Sequence, residues 1–326
     1  MAELFKLFGL AGNDWNDEAE DRRAVNNFQI VSIACIPIAE ILSVLDQTFC
    51  SGHDETWFAW KHVDSPWGPS FGWVAIDRTG VVGVRLFMRW KLMLNERIIQ
   101  ADRPVDTAVV PRARGRAVFR ELTRFAIATV KEDPNVDLIF NTPNKNSRTR
   151  YARMGWNVLE AIAHGARPVI PGRIASVEST DAAFDAFDHA VAKSDRLSTR
   201  RNARVMRWRY NARSGLLYTT ARLRHGEAPN AIVYRIVTCL GIRFLVVTEL
   251  TGTINDRHLL VRSVARQERA RALLLATGTG ALELIPGVTL RCGGSVLAVR
   301  PLKEVIANPT RLDSWALTIG DLEHVI

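Results

Sequence analysis

A chain of 326 residues is long for one compact domain, and a formal net charge of +9 favours an acidic partner or substrate. Its 47% hydrophobic and 24% charged residues exclude a disordered or fibrous chain. Four scattered cysteines argue against a disulfide framework or a zinc site, and only seven of the basic residues are lysines, so the charge is mostly arginine, the better bidentate phosphate ligand.

Residues 1–25 read as an N-terminal appendage, apolar at Leu4 to Leu10 and polar after Gly12. With no signal-peptide pattern and no run of about 18 apolar residues, a cytoplasmic protein is expected, with no membrane partner. Phe28 to Ala34 is a strand candidate, Pro37 to Phe49 has helical spacing, and the segment around Trp57 and Trp60 reads as helical. After a break at Ser65-Pro66-Trp67-Gly68, Phe71 to Ile76 and Val81 to Arg89 form a hairpin around Asp77-Arg78-Thr79-Gly80. Asn95-Glu96 makes a further turn. A strand over Val105 to Val110, a loop over Pro111 to Arg116 and a helix over Ala117 to Lys131 follow. Then come a strand from Val136 to Asn141 and a helix ending at Met154-Gly155-Trp156. Antiparallel strands leading into strand–helix–strand–helix imply a mixed α/β (α+β), largely antiparallel sheet.

Residues 166–197 read as a connecting segment with a helix over Ala182 to Lys193. Strands are expected at Ile232 to Thr238 and Arg243 to Thr248 around the Leu240-Gly241 turn, a helix at Leu260 to Thr277, and a strand at Ser295 to Arg300. This second block echoes the first without its arginine loop, since Ala265 to Ala272 contains no glycine.

Two constellations carry chemistry. In the stretch from Val109 to Phe119 an apolar strand stops at Pro111 and a helix starts a few residues later. The start of that helix offers unpaired N–H groups and a partial positive charge, a seat for pyrophosphate. Gly115 lets backbone approach closely, and Arg112, Arg114 and Arg116 add charge. Neither G-x-G-x-x-G nor G-K-[ST] occurs there. In the second constellation, Asn144 stands at a helix start and Tyr151 two turns on, on the same face. Tyr151 is either a proton donor or a core tyrosine with a satisfied hydroxyl.

Together these stretches resemble the GNAT-type N-acetyltransferases. The cofactor loop R/Q-x-x-G-x-G/A is set against Arg114 to Phe119, so that Ala117 and Phe119 stand where the broader family has glycines and Phe119 narrows the cradle. Asn144, Ser147, Tyr151, Gly155 and Trp156 meet every position of N-x-x-[AS]-x-x-x-Y-x-x-x-G-[FW]. Val105 to Pro111, Asn141 to Ser147 and the terminal Trp315 to Leu322 are similar to one branch of the family.

The resemblance implies a GNAT catalytic domain over 26–165 and a second, degenerate GNAT-like domain over 198–326. The expected reaction is acetyl transfer from acetyl-CoA to the primary amine of a small molecule, an amino sugar or a biosynthetic intermediate, by direct attack. It implies that pantetheine lies along Thr107, Ala108 and Val109, and that pyrophosphate sits over the N–H groups of Gly115, Arg116, Ala117, Val118, Phe119 and Arg120. Asn144 bonds the cofactor or orients its helix. Tyr151 is the implied general acid. Asp106 accepts the amine proton, directly or through water, or is simply paired with a nearby arginine. No metal is implied. One rival is acyl transfer from aminoacyl-tRNA. Another is nucleic-acid binding through Arg196, Arg200, Arg201, Arg204, Arg207, Arg209 and Arg213 with Trp208 and Tyr210 interleaved.

Overall fold

The computed structural model describes residues 28–189, 195–276, 290–305 and 307–322. The expected appendage over 1–25 lies outside them.

The first half follows the sequence pattern closely. Strand β1 (Gln29–Ser32) pairs with β2 (Phe71–Asp77), and β2 with β3 (Gly80–Leu94). Helix α1 (Ile38–Phe49) lies between β1 and β2 in the chain, followed by α2 (Glu55–Phe58), which runs straight into a π-helical turn (Ala59–Val63). Strands β3 and β4 (Arg97–Val109) form a long hairpin. Its turn residues Asn95 and Glu96 both have positive φ, as a two-residue hairpin turn requires. The loop leads to α3 (Val118–Lys131), whose Val118, Leu122, Ala126 and Val130 are buried in one stripe. Strand β5 (Leu138–Asn141), helix α4 (Lys145–Arg153) and strand β6 (Asn157–Pro168) complete the half.

The second half differs from expectation in two places. The stretch expected as a connector supplies β7 (Val177–Ser179) and a 3-10 helix (Asp181–Asp188) in place of the expected helix from Ala182, whose later residues lie outside those described. After the short β8 (Ser198–Thr199) and α5 (Ala203–Arg209) come β9 (Thr219–Leu223), β10 (Ala231–Cys239) and β11 (Ile242–Thr251). The helix expected from Leu260 instead spans Ile254–Gln267 (α6) and is followed by a strand, β12 (Ala272–Ala276). Thr253 caps its start, and Arg269, in the left-handed region, ends it. The apolar run Ala272–Ala276 continues the hydrophobic signal with no periodicity of its own, so it reads as more helix. Strand β13 (Leu290–Pro301) and the short α7 (Ile319–Leu322) close the chain.

The strands form one mixed sheet in the order β1-β2-β3-β4-β5-β13-β6-β12-β11-β10-β9-β7. Read outward from the β13–β6 contact, the two sides match. β4 pairs parallel with β5 as β11 does with β12, and a helix connects each pair. The last strands are exchanged: β6 lies beside β12, and β13 lies between β5 and β6.

The sheet also curls. Five strand intervals separate β4 from β11, about 24 Å on a flat sheet. Yet the guanidinium of Arg103 on β4 donates to the Asp321 carbonyl in α7 at 2.9 Å, and Arg201 bridges the Asp321 carboxylate and Glu249 of β11. The halves are further tied by a reciprocal pair, Trp60 indole to the Trp208 carbonyl at 2.6 Å and Trp208 indole to the Trp60 carbonyl at 2.7 Å.

Candidate active site

Pairing between β4 and β5 stops at Asp102 and Ile139, whereas β4 runs on to Val109. β13 pairs with the other edge of β5 along its whole length, whereas past Asp102 and Ile139 the β5-facing edge of β4 is open, with no strand partner among the described residues. Thr107, Ala108 and Val109 lie on this edge. Just before them β4 is bulged: Val105 pairs with Leu86 and Ala108 with Val84, which leaves Arg85 opposite both Asp106 and Thr107. Asp106 takes a φ of 45° there, a backbone strain of the kind held at functional sites.

Beyond β4 the chain turns through Pro111–Ala113 and enters α3. Gly115 has a φ of 77° and Ala117 a φ of 59°. The positions that call for a small residue are therefore 115 and 117, and the G-x-G/A pattern fits from Arg112, two residues earlier than the sequence placement. Phe119 is then an ordinary first-turn residue. Its ring packs inward, perpendicular to Tyr151 with centroids 6.2 Å apart, so it does not fill the loop.

No side chain caps the start of α3. The first-turn N–H groups of Val118, Phe119 and Arg120 have no intrahelical acceptor. The space beside Gly115 is open. Arg112 and Arg116 reach Asp77 in the β2–β3 turn at 3.6 and 2.8 Å. Hydrogen bonds from Thr79 and Arg116 hold the Asp77 carboxyl well below the usual range. Arg120 pairs with Glu121 on the surface. These residues fit a pyrophosphate: unpaired N–H groups, the positive end of a helix dipole and arginines at one open turn.

At the foot of the opening, Tyr151 is 2% exposed. Its oxygen accepts from Arg85 Nη2 at 3.0 Å and from Asn141 Nδ2 at 2.9 Å. The backbone N–H of Thr142 donates to Asn141 Oδ1, which fixes the amide the other way round. Both neighbours of the phenol can only donate, so its own proton is left for a third group. Asn144 bears on this site indirectly, through the helix it starts: its Oδ1 accepts from the Ser147 N–H and hydroxyl, capping α4.

Sequence reasoning missed Arg85. It is fully buried, donates to Thr107 Oγ1 at 3.3 Å and to Tyr151, and leaves its Nε without a partner. No carboxylate faces it among the described residues. Phe87, Phe119 and Tyr151 surround its guanidinium at 5.3 to 5.6 Å. A buried cation without an anion is costly and marks a place where negative charge arrives. The signal was a lone charge in the otherwise apolar run Val81 to Phe87.

Asp106 pairs with Lys61 Nζ at 2.7 Å and with His62 Nε2 at 3.0 Å, not with an arginine. Burial pushes its carboxyl up, but the Lys61 ammonium and the His62 hydrogen bond outweigh this and hold it well below the usual range. Burial lowers His62, which keeps the imidazole neutral. An ionised Asp106 only accepts, so Nε2 carries the His62 proton and Nδ1, 3.0 Å from Ser70 Oγ, is the bare nitrogen. Beside this group, His53 stacks on Trp57 at 3.7 Å.

The arginine run offers no base-stacking surface. Trp208 and Tyr210 are each only 7% exposed. Arg201 and Arg209 are spent on the Asp321, Glu249 and Gly320 contacts, and Arg207 and Arg213 pair with Asp185 and Asp64. The interleaved aromatics of 196–213 are therefore core residues, and four of its seven arginines are engaged within the protein.

Residues 38–159 match the family described as the acetyltransferase (GNAT) domain. No curated protein sequence matches the chain. Among solved structures, a GCN5-related N-acetyltransferase from Anabaena variabilis aligns at a TM-score of 0.68 and 11% identity, over 85% of this chain and 73% of that one. Another from Kribbella flavida aligns at 0.61 and 15%, over 84% and 72%. Eis1 from Mycobacterium abscessus aligns at 0.58 and 12%, over 84% and 73%. A parted pair of parallel strands beside an uncapped helix start, carried by this fold, defines an acyltransferase. Residues 38–159 carry the match to the GNAT acetyltransferase domain, and what the rest of the chain shares with the solved structures is the fold.

Proposed function

We propose that the protein transfers an acetyl group from acetyl-CoA to the primary amine of a small molecule by direct attack, using the first half of the chain. One observation carries this reading. Past the last β4–β5 pair, Thr107 on the unpaired edge is bonded to a buried, anion-free guanidinium that also holds a phenol with an uncommitted proton, and the chain runs on from this edge into an uncapped helix start.

Acetyl-CoA supplies an activated thioester carbon. The N–H groups from Gly115 to Arg120 bind its pyrophosphate, and the open edge at Thr107 to Val109 pairs with its pantetheine arm as an added strand would. Arg85 stabilises the negative charge that grows on sulfur as the C–S bond breaks, and Tyr151 gives that sulfur its proton. On the other side, the proton leaving the amine passes to Ser70 Oγ while the Ser70 proton moves to His62 Nδ1. Asp106 then serves as the acceptor that fixes the His62 tautomer, and Lys61 holds Asp106 ionised. This gives Asp106 a positioning role in place of a direct base.

The second half is proposed to be a related but degenerate domain, 198–326, that exchanges its last strand with the first. Release of free thiol from acetyl-CoA, followed with a panel of amino sugars and other primary amines, tests the activity. Amine-dependent release is expected; absence of binding to any acyl-CoA would overturn the reading.

A further inference from the structure

Away from the acetyl-transfer site, residues 169–174 leave β6 and run beside the C-terminal end of α6. Val169 N–H is anchored on the Arg271 carbonyl at 3.0 Å. Between the two segments lies a groove of about 760 Å³. Its size falls within the range of roughly 300–1,000 Å³ typical of small-molecule sites.

Four arginines line it: Arg262, Arg266, Arg269 and Arg271. The first three lie at i, i+4 and i+7, on one side of α6 and its closing turn. None is ion-paired with a carboxylate of the described residues. The nearest acid in the chain, Glu268, is taken up by Arg243 at 3.6 Å and the Tyr234 hydroxyl at 2.9 Å. Four arginines lining one groove without a paired acid give it a net positive lining.

Two backbone details shape the groove. Arg269 has a φ of 52° at the position that ends α6, where Ala270 N–H closes onto the Ala265 carbonyl at 2.8 Å. Glycine is the favoured residue at such a position, yet arginine stands there. Across the groove, a Cβ on Gly172 would come within 3.0 Å of Arg262 Nη1, so the glycine lets the guanidinium lie against the loop. The opposite wall is apolar, with Ile170 43% and Ile174 50% exposed.

We infer that this groove binds a small molecule carrying two or three linked phosphates on a flat, apolar body, a ligand of the nucleotide class. The arginines take the phosphates in bidentate contacts, and the isoleucine wall takes the ring. The site is separate from the acetyl-transfer opening and does not depend on how that opening works.

Calorimetric titration of the full chain at physiological salt tests it, with inorganic triphosphate, ATP, and vesicles of anionic phospholipid as separate arms. Saturable ATP binding, tighter than that of triphosphate alone, is the expected result. Replacing Arg262→Gln together with Arg269→Gly should weaken ATP binding by about tenfold or more. Because Arg269→Gly relieves a left-handed residue, the single variant should melt no lower than the parent, which separates lost binding from lost folding. The proposal is overturned by ATP binding that is undiminished in the double variant, by no ATP binding up to about 1 mM, or by binding confined to vesicles.

Discussion

The two halves of the sheet each send a parallel-paired strand into a helix, and the two helix starts have opposite fates. At α3 the residue before the helix is Ala117, which has no side chain to cap with, and the turn carries Gly115 and three arginines. At α6 the preceding residue is Thr253, whose Oγ1 accepts from the Asp256 N–H. Asp256 in turn is buried and accepts from the N–H groups of Glu227 and Ala228 and from the Thr253 hydroxyl. One start has no side-chain cap, as the proposed pyrophosphate seat requires; the other already holds the protein's own anion. A carboxylate at the positive end of a helix stabilises the fold and excludes a phosphate from the same place. On the proposed function, the same topology is divided between catalysis and support.

That division predicts which lesions change rate and which change stability. The largest effect belongs to the foot of the first opening. Tyr151→Phe should lower kcat by about a hundredfold or more, the usual contribution of a general acid, with the KM for acetyl-CoA nearly unchanged. Arg85→Met should act in the same direction. If steady-state assays find either variant at wild-type kcat, that residue takes no part in the mechanism.

Asp256→Ala should leave kcat and KM as they are and reduce the free energy of unfolding by about 3 kcal/mol, because buried N–H groups lose a charged acceptor. Denaturant titration checks this. A variant that lost activity while keeping its stability would move the second helix start into the functional half of the comparison.

The His62 relay gives a pH signature. A general base works only when unprotonated, and burial lowers the His62 pKa from its ordinary value near 6.5. With saturating amine, kcat should therefore be flat through neutrality and fall only at a pH below that value. Lys61, Asp106 and Ser70 face the ring and set where the fall occurs. In His62→Gln the acid limb should disappear along with most of the rate. Persistence of the same limb in the variant would assign it to another group.

The smallest effects come from the loop itself. Gly115→Val places a branched side chain in the left-handed region and should raise the KM for acetyl-CoA by about tenfold, the equivalent of 1–2 kcal/mol of backbone strain. Ala117→Gly removes strain of the same kind and should stabilise the chain by about 1 kcal/mol without weakening the cofactor.

Much of the first half was legible because its signals are local. Pro111 ends a strand, the apolar stripe from Val118 to Val130 marks a helix, and the spacing of Asn144 to Tyr151 puts a cap and a phenol on one short helix. The frame of the proposed cofactor loop was legible too, and the placement from Arg114 misses it: Arg112, Gly115 and Ala117 meet R/Q-x-x-G-x-G/A by residue type, and the positive φ at 115 and 117 agrees. Three features were not legible. The environments of Tyr151 and Asp106 depend on Arg85, Lys61 and His62, which lie 44 to 66 residues away in the chain and come close only through β3–β4 pairing and the packing of the π-helical turn. The exchange of β6 and β13 is set by contacts more than a hundred residues apart, beyond the reach of any local pattern. The end of α6 was missed for a different reason: Arg269 terminates it where glycine would have announced the turn.

A crystal structure of the chain with acetyl-CoA tests the central claim most directly. The account predicts one molecule, its pyrophosphate on the N–H groups that open α3 and its sulfur within hydrogen-bond reach of the Tyr151 hydroxyl. Pyrophosphate at the start of α6, or a thioester remote from Tyr151 and Arg85, would contradict it.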